Sequence, residues 1–516
     1  MNRQFSWALL CALCVLVVIL LAVQSILSVG KYMRLLGCMA NDTQRHYLPP
    51  ILAWAGLKKH LIYAPLFRNR HIQELQLSAF PSMCCIPTRP QFCIITIIAL
   101  MNGCFCLTRI PWKSPTEDLY PVIRNRLGTI AVVNLIPLIL LPGRHNHLSR
   151  LLSIKFDNLN LIHRWIGRII MLEAVTHAAM WIAGDSERFG WSAVLTSVDH
   201  SEFIYTGLIA CLAFMVLSLH SLSMIRHAFY ETFLHVHVLL VCLAIAGLWY
   251  HLKELYARRY LLAAMGVWTT QLGKRLIRYS VLFWRNCGRA ITRTTVRMLP
   301  GEALMVTISV ARPWTILPGQ NIFFYIPSVG LWTSHPFTVA WHELEEVPDE
   351  TKGLPVSWSD LCTTRQKTRI YLIIRRRTGF TNQLYKRIET SQSKCESFTA
   401  LVEGPYGRPC HLKSYGTVIL FAGGVGITYQ LLHVRHLIKD ATDNFIACHQ
   451  ISLVWIIRRL DYIEWVQPWL RSLFDLPGAR GILRVRIFVT KLFFPEGIEL
   501  LMGRPDIQWE NKVVAV

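Results

Sequence analysis

Two apolar stretches decide the fold of the N-terminal half: LIHRWIGRIIMLEAVTHAAMWIA at 161–183 and YETFLHVHVLLVCLAIAGLWYH at 230–251. Each is long enough to cross a bilayer. Each also carries two histidines fourteen residues apart, His163 with His177 and His237 with His251. Fourteen residues fall about 40° short of four full turns, so both members of a pair share one helix face, roughly 21 Å apart along the axis. His235 should point away from that face.

The other apolar runs predict five further spans. Loop 30–91 is basic and loop 184–202 is acidic, so the first should face the cytosol and the second the outside. Seven spans then place the N-terminus outside and the chain after residue 275 in the cytosol. The five runs are 6–29, 92–110, 127–142, 203–221 and a weaker one at 258–272.

In this topology the histidine pairs lie at matched depths, because both helices run outward. His163 and His237 lie on the cytosolic side, and His177 and His251 lie on the outer side. Two such helices can hold one b-type haem at each level, with a histidine on both faces of the iron. The alternative is that these histidines are interior residues bonded to backbone carbonyls.

The composition supports a membrane protein. Hydrophobic residues make up 53% and charged residues 16%, with a mean hydropathy of +0.35. The formal net charge is +23. Basic loops held on the cytosolic side of a bilayer explain this charge better than a nucleic-acid partner. The 15 cysteines follow neither a zinc-site spacing nor a disulfide framework.

The C-terminal half changes to short alternating segments that are typical of strands. At 417–432 the run TVILFAGGVGITYQLL passes from an apolar strand through a glycine loop into a helical pattern. Such glycines let backbone N–H groups approach a phosphate at a helix N-terminus. The next strand ends in Arg458 and Arg459, which suit the 2′-phosphate of NADP, although a solvated strand end is the alternative.

Seven short blocks, in this order, resemble the fungal ferric reductases, which are membrane flavocytochromes related to the NADPH oxidases. The resemblance covers roughly residues 50–506. The blocks are HRWIGR (163–168), YETF with His237 (230–237), GLWYH (247–251), HPFT (335–338), GFT (379–381), GPYG (404–407) and AGGVGIT (422–428).

The resemblance implies a multi-domain fold, an α-helical transmembrane haem bundle followed by a ferredoxin-reductase-like module. Residues 1–91 would form the first spanning helix and a cytosolic loop, and 92–285 the haem domain. The module would comprise an antiparallel β-barrel FAD domain at 286–410 and an α/β NADP-binding domain at 411–516. Family members continue beyond the Gly-Arg-Pro-Asp motif at 503–506, so we expect this last domain to lack its final strand.

The resemblance also assigns residues to the cofactors, and it names no catalytic side chain. His335, Pro336, Phe337 and Thr338 would contact FAD, with Gly379 and Thr381 near its pyrophosphate. The NADPH site would include Gly404, Gly407, Gly423, Gly424, Gly426 and Thr428. The iron ligands would be His163, His177, His237 and His251, and Arg458 would select NADPH.

The implied function is reduction of a ferric or cupric chelate outside the cell. NADPH would reduce FAD, and electrons would pass singly through two haems across the bilayer, which we expect to be the plasma membrane. An iron permease or oxidase would act downstream. Two alternatives stay open: a superoxide-generating NADPH oxidase, and a truncated haem membrane protein without reductase activity.

Overall fold

A computed structural model describes residues 2–40, 52–67, 87–110, 112, 119–143, 151, 154, 156–286, 292–310, 314–330, 334–347, 365–407, 410, 412–443, 446–490 and 507–510. The chain divides into two compact units. One comprises Met1–Leu27 with Pro50–Val281, and the other comprises Ser28–Pro49 with Leu282–Val516. The finer division into four domains stays a prediction.

Helices build the first unit. They are α1 (Asn2–Ala40), α2 (Leu52–Leu57), α3 (Arg89–Leu107), α4 (Leu119–Leu140), α5 (Phe156–His200), α6 (Glu202–His220), α7 (Ser223–Ala228), α8 (Tyr230–His251) and α9 (Arg258–Asn286). The parts of α1 after Leu27 and of α9 after Val281 belong to the second unit. In the part of the chain that the structure describes, six of these are long and apolar enough to cross a membrane: α1, α3, α4, α5, α6 and α8. The backbone of α5 breaks at Gly190, where φ is 78°.

The seventh predicted span, 258–272, forms the first half of α9, which falls outside this apolar set. This helix nevertheless contacts both α1 and α4 of the bundle. The hydroxyl of Tyr260 lies 2.7 Å from Oγ of Ser6, near the start of α1. Further along, Nε2 of Gln271 donates to the carbonyl of Leu140, the last residue of α4. Thr270, Gln271, Lys274 and Arg275 lower the hydropathy of α9.

Antiparallel strands form the first part of the second unit after residue 282. They are β1 (Arg293–Leu299), β2 (Ala303–Val310), β3 (Asn321–Tyr325), β4 (His335–Thr338), β5 (Trp341–Val347), β6 (Arg365–Arg375), β7 (Cys395–Thr399) and β8 (Leu401–Tyr406), with helix α10 (Phe380–Thr390) between β6 and β7. They form a five-stranded sheet in the order β5-β6-β2-β1-β7 and a three-stranded sheet in the order β4-β3-β8. The predicted antiparallel β structure in this part of the chain is thereby confirmed.

A parallel sheet completes the second unit. Its strands are β9 (Thr417–Gly423), β10 (Gln450–Ile457), β11 (Leu483–Val489) and β12 (Ile507–Glu510), in the order β12-β11-β10-β9. Helices α11 (Ile427–Thr442), α12 (Gln467–Phe474) and α13 (Ala479–Ile482) connect the first three strands. This is the predicted α/β arrangement, and residues 507–510 supply a fourth strand at its edge.

Candidate functional site

Two histidine pairs lie at different levels between α5 and α8. The ring centroids of His163 and His237 are 6.5 Å apart, and those of His177 and His251 are 6.2 Å apart. Metal–nitrogen bonds of about 2 Å on each side would place two imidazoles that share one metal with centroids roughly 6 Å apart. Both pairs therefore have the separation that a haem iron between them requires.

After the predicted topology, we call His177 with His251 the outer pair and His163 with His237 the inner pair. Backbone carbonyls of neighbouring helices orient the outer pair. Nδ1 of His177 lies 2.7 Å from the carbonyl oxygen of Arg124 on α4, and Nδ1 of His251 lies 2.7 Å from that of Phe203 on α6. A ring that uses Nδ1 in this way leaves Nε2 for another partner, which is the usual arrangement of a metal-bound histidine.

The inner pair is held asymmetrically. Nδ1 of His163 lies 2.8 Å from the carbonyl oxygen of Leu138, near the end of α4. Nδ1 of His237 lies 3.5 Å from Oγ of Ser221, which is a longer contact. His235 is exposed, as its helical position predicts, and it belongs to neither pair.

Glycines make room for both outer rings. A Cβ atom added at Gly128 would lie 2.7 Å from Nδ1 of His177, and one at Gly207 would lie 2.6 Å from Nδ1 of His251. Real Cβ atoms do not approach ring nitrogens so closely, so these positions accept only glycine while the rings keep their places. Sequence reasoning missed both glycines, because their role appears only when α4 and α6 are docked on the histidine helices.

The outer pair lines a cavity of about 580 Å³, which we call the outer cavity. Its walls are mainly apolar and include Leu135, Ile170 and Phe214. Its charged lining side chains are Arg3 and Arg124, and no carboxylate occurs among the described residues that line it. The volume and lining fit a haem, whose carboxylates would pair with these arginines.

A buried polar network lies beside this cavity. Nδ2 of Asn134 on α4 lies 3.3 and 3.1 Å from the two carboxyl oxygens of Glu173 on α5, and 2.7 Å from Oδ1 of Asn102 on α3. All three side chains are buried. The sequence signal was an ionisable residue inside a spanning helix, which marks function by default. This signal applies to Glu173 as well as to the histidines.

The three-stranded sheet brings two of the predicted FAD and nucleotide motifs to either side of β3. His335, Pro336, Phe337 and Thr338 pair with β3 on one edge, and the strand that contains Gly404 pairs on the other.

The third motif starts α10. The ring of His335 stacks on Phe380, the first residue of that helix, with centroids 4.6 Å apart. Gly379 precedes the helix with φ of 67°, and Oγ1 of Thr381 accepts a hydrogen bond from the backbone N–H of Arg377. The HPFT and GFT motifs therefore lie together.

The glycine loop forms the predicted strand-to-helix turn between β9 and α11. Gly424 has φ of 49°, and its carbonyl accepts a hydrogen bond from Nε1 of Trp455 on β10. Gly423 and Gly426 have open space at the Cβ position, so a ligand can approach their backbone. The buried hydroxyl of Thr428 donates to the carbonyl of Val425.

The turn at Gly407 approaches the nucleotide helix through Gly319. A Cβ at Gly407 would lie 3.4 Å from the carbonyl oxygen of Gly319, and one at Gly319 would lie 2.9 Å from the hydroxyl of Tyr429 on α11. The structure thus brings Gly407 close to the helix that follows the glycine loop, where the nucleotide site was predicted.

The two arginines after β10 differ. NH2 of Arg459 lies 2.7 Å from Oδ2 of Asp461, whereas Arg458 is exposed. Ile456, two residues before Arg458, is aligned with Gly423 in the parallel pairing of β10 and β9. Arg458 therefore follows its strand at the same sheet edge as the glycine loop.

Helix α11 carries titratable groups on its buried side. Burial, assisted by the neighbouring His436, lowers the pKa of His433 to about 4. Burial and the positive Arg435 lower the pKa of His342, on β5, to about 4. NH1 of Arg435 donates to the carbonyl of His342 at 2.7 Å, so α11 is bonded to the five-stranded sheet.

Comparison with known proteins matches three family models to this chain. Residues 127–248 match the ferric reductase like transmembrane component, 289–350 match an FAD-binding domain, and 415–492 match the ferric reductase NAD binding domain.

Three curated fungal proteins are similar over most of the chain. The probable cell surface ferric reductase kap2 of Aspergillus oryzae is 30% identical over 385 residues, 72% of this chain and 48% of its own length. Ferric reductase transmembrane component 3 of Saccharomyces cerevisiae is 26% identical, covering 76% and 51%. Ferric/cupric reductase transmembrane component 1 of Candida albicans is 24% identical, covering 88% and 55%. The chain thus spans about half the length of these relatives.

Fold and matches together define a multi-pass membrane protein with FAD-binding and NAD-binding regions after its helical bundle. Within that class, the resemblance to the fungal ferric reductases predicted from the motifs is confirmed.

Proposed function

We propose that this chain passes electrons from NADPH through FAD and two b-type haems to a ferric or cupric chelate outside the cell. The observation that carries the proposal is the stacking of two histidine pairs along the same two helices, with centroid separations of 6.5 and 6.2 Å. A bundle that only packed histidines against carbonyls would not need two facing pairs with metal-site spacing.

The chain's own residues hold the cofactors in sequence. His163 and His237 would hold the inner iron, and His177 and His251 the outer iron. When bound, FAD supplies the conversion from two-electron to one-electron transfer, and the haem irons supply one-electron sites between the helices. α9 contacts the start of α1 and the end of α4, and the chain then continues into the second unit.

The nucleotide preference rests on Arg458. Its exposed guanidinium follows β10 at the edge where the glycine loop turns into α11, and Arg459 is already paired with Asp461. A guanidinium binds a phosphate through two parallel hydrogen bonds, so Arg458 would favour NADPH over NADH. FAD would lie against the HPFT strand and the start of α10.

The names of the relatives support the proposed external acceptor and membrane. The matched proteins carry the names ferric and ferric/cupric reductase, and one is described as a cell surface protein. A plasma-membrane reductase for metal chelates is therefore the function that fits best. An iron permease or oxidase would use its product.

Haem analysis of the purified chain tests the proposal. Two low-spin b-type haems per chain are expected, and His177→Ala should remove the outer haem and keep the inner one. A ratio of one or below in the wild type would contradict it. With NADPH and ferric chelate, reduced iron should appear; superoxide formation unaffected by the chelate would favour an oxidase instead.

A further inference from the structure

Glu173 is a carboxyl group between the two histidine pairs. It precedes His177 by four residues and follows His163 by ten, roughly 6 and 15 Å along the helix axis. It is 5% exposed even without a surrounding bilayer. Burying a carboxylate at this depth is costly, which makes Glu173 a candidate functional residue.

The contacts of Glu173 satisfy only part of the hydrogen-bonding capacity of an ionised carboxylate. A single amide nitrogen, Nδ2 of Asn134, reaches both carboxyl oxygens, and that nitrogen is shared with Oδ1 of Asn102. Asn102 in turn donates to the carbonyl of Ile98. An ionised carboxylate can accept about four hydrogen bonds. Its charge at this site therefore depends on other charges nearby.

In the described part of the bundle, few titratable or charged side chains face Glu173 from neighbouring helices. Cys106 lies on α3, and its Coulomb interactions are with Glu173 and Arg126. Cys211 on α6 donates to the carbonyl of Ala174, next to Glu173. The guanidinium of Arg126 on α4 is engaged with carbonyl oxygens at the end of α3.

A haem bound in the outer cavity would change its charge on reduction. Ile170 and Ala174, beside Glu173, and Ala131 and Leu135, beside Asn134, all line it. Apolar residues near Glu173 and Asn134 in sequence therefore form part of the wall of the space between the outer histidines. A ferric porphyrin core with two neutral histidines carries one positive charge, which a single electron cancels. Coulomb interactions across such a wall are strong.

We propose that Glu173 binds a proton when the outer site receives an electron. The inference rests on the proposed function, because it requires an outer haem. Glu173 is ionised beside the oxidised, positively charged site. When one electron arrives from the nucleotide by way of the flavin, Glu173 takes one proton from solvent. The electron leaves to the external acceptor, and the proton returns to solvent.

Spectroelectrochemical titration of the full chain in detergent tests this from about pH 6 to 8. The wild-type midpoint potential of the outer haem should fall as pH rises, approaching 59 mV for each tenfold change in proton concentration. Glu173→Gln keeps the shape and the amide contact but cannot titrate, so its potential should not change with pH. Glu187→Gln, an exposed position on α5, should behave like the wild type.

The outcomes separate the inference from the proposed function. Two haems with pH-independent potentials in the wild type, or an unchanged slope in Glu173→Gln, would overturn the proton site alone. Absence of the outer haem from the wild type would overturn both. Should the Gln variant fail to assemble, the reduced-minus-oxidised infrared spectrum of the wild type decides: a protonated carboxyl band supports the proposal, and its absence refutes it.

Discussion

At the scale of single residues, the ring nitrogen that faces a carbonyl matters as much as the nitrogen that would face a metal. Nδ1 of His177 is fixed by the carbonyl of Arg124, and Nδ1 of His251 by that of Phe203. These contacts set the direction of each ring before any cofactor binds. Preorganisation of this kind reduces the side-chain entropy that binding would otherwise cost.

Gly128→Ala should therefore displace His177. The added Cβ would lie 2.7 Å from Nδ1, so either the ring rotates or α4 moves away from α5. We expect loss of the outer haem with retention of the inner one, measured as a fall in the haem-to-protein ratio from two to one. Gly103→Ala on α3 is the matched control, because open space surrounds its Cβ. Full haem content in Gly128→Ala would show that the outer rings tolerate displacement.

Arg458→Ala should weaken NADPH use more than NADH use. Loss of a charge-assisted hydrogen bond to the 2′-phosphate corresponds to about 1–3 kcal/mol. The comparison is between kcat/KM values for the two nucleotides. Arg459→Ala is the control, since that guanidinium is engaged by Asp461. Equal losses with both nucleotides would remove Arg458 from the phosphate site.

Residue types and spacings predicted the paired histidines, the exposed His235 and the glycine loop, because each depends on periodicity within one segment. They did not predict Gly128, Gly207 or the partners of Glu173. Those roles require knowing which helix faces of α3, α4 and α6 meet α5 and α8, and near-uniform apolar sequences leave that choice to side-chain fit.

At the scale of elements, α11 joins the glycine loop to the five-stranded sheet, and a buried histidine makes this helix sensitive to acid. The pKa of His433 is about 4 in the folded chain, against about 6.5 when unfolded. Between these values the unfolded state binds more protons. The contribution of His433 to the free energy of unfolding is therefore complete above about pH 6.5. It is lost as pH falls towards 4, by at most about 1.4 kcal/mol per pH unit.

Hydrogen exchange of the backbone amides in α11 and β9 measures this loss in the intact chain. Protection should decrease from pH 6.5 to pH 5 after correction for the intrinsic exchange rate. His433→Leu should reduce the pH dependence of amide protection, whereas His449→Ala, at an exposed position, should leave that pH dependence unchanged. An equal dependence in wild type and His433→Leu would assign the effect to other groups.

Among the elements, hydropathy indicates α9 less clearly than the other long helices, for a physical reason. Lys274 and Arg275 interrupt its hydropathy, while packing against α1 and α4 determines its path. The expected absence of a final strand rests on the resemblance to family members that continue beyond residue 506, and it stays a prediction. Residues 507–510 pair with β11 in parallel, which no local pattern indicated.

At the scale of the whole molecule, the path of the chain predicts opposite sides for the two termini. Arg3 lines the outer cavity, so α1 starts at the level of His177 and His251. α9 leaves the bundle at the other end. A tag before Met1 should be labelled on intact cells, and a tag after Val516 only after permeabilisation. Labelling of both tags from the same side would contradict a seven-helix path and reverse or remove the inner and outer assignments.

The carbonyls that orient His163, His177 and His251 have a consequence for biogenesis. Each belongs to a different helix from the histidine that it holds, so the ring geometry that we propose for haem binding exists only after those helices have docked. Haem would then bind the assembled bundle in preference to the loose chain and stabilise it by mass action. A cell short of haem would accumulate less of this protein through turnover of immature chains, with no change in transcription.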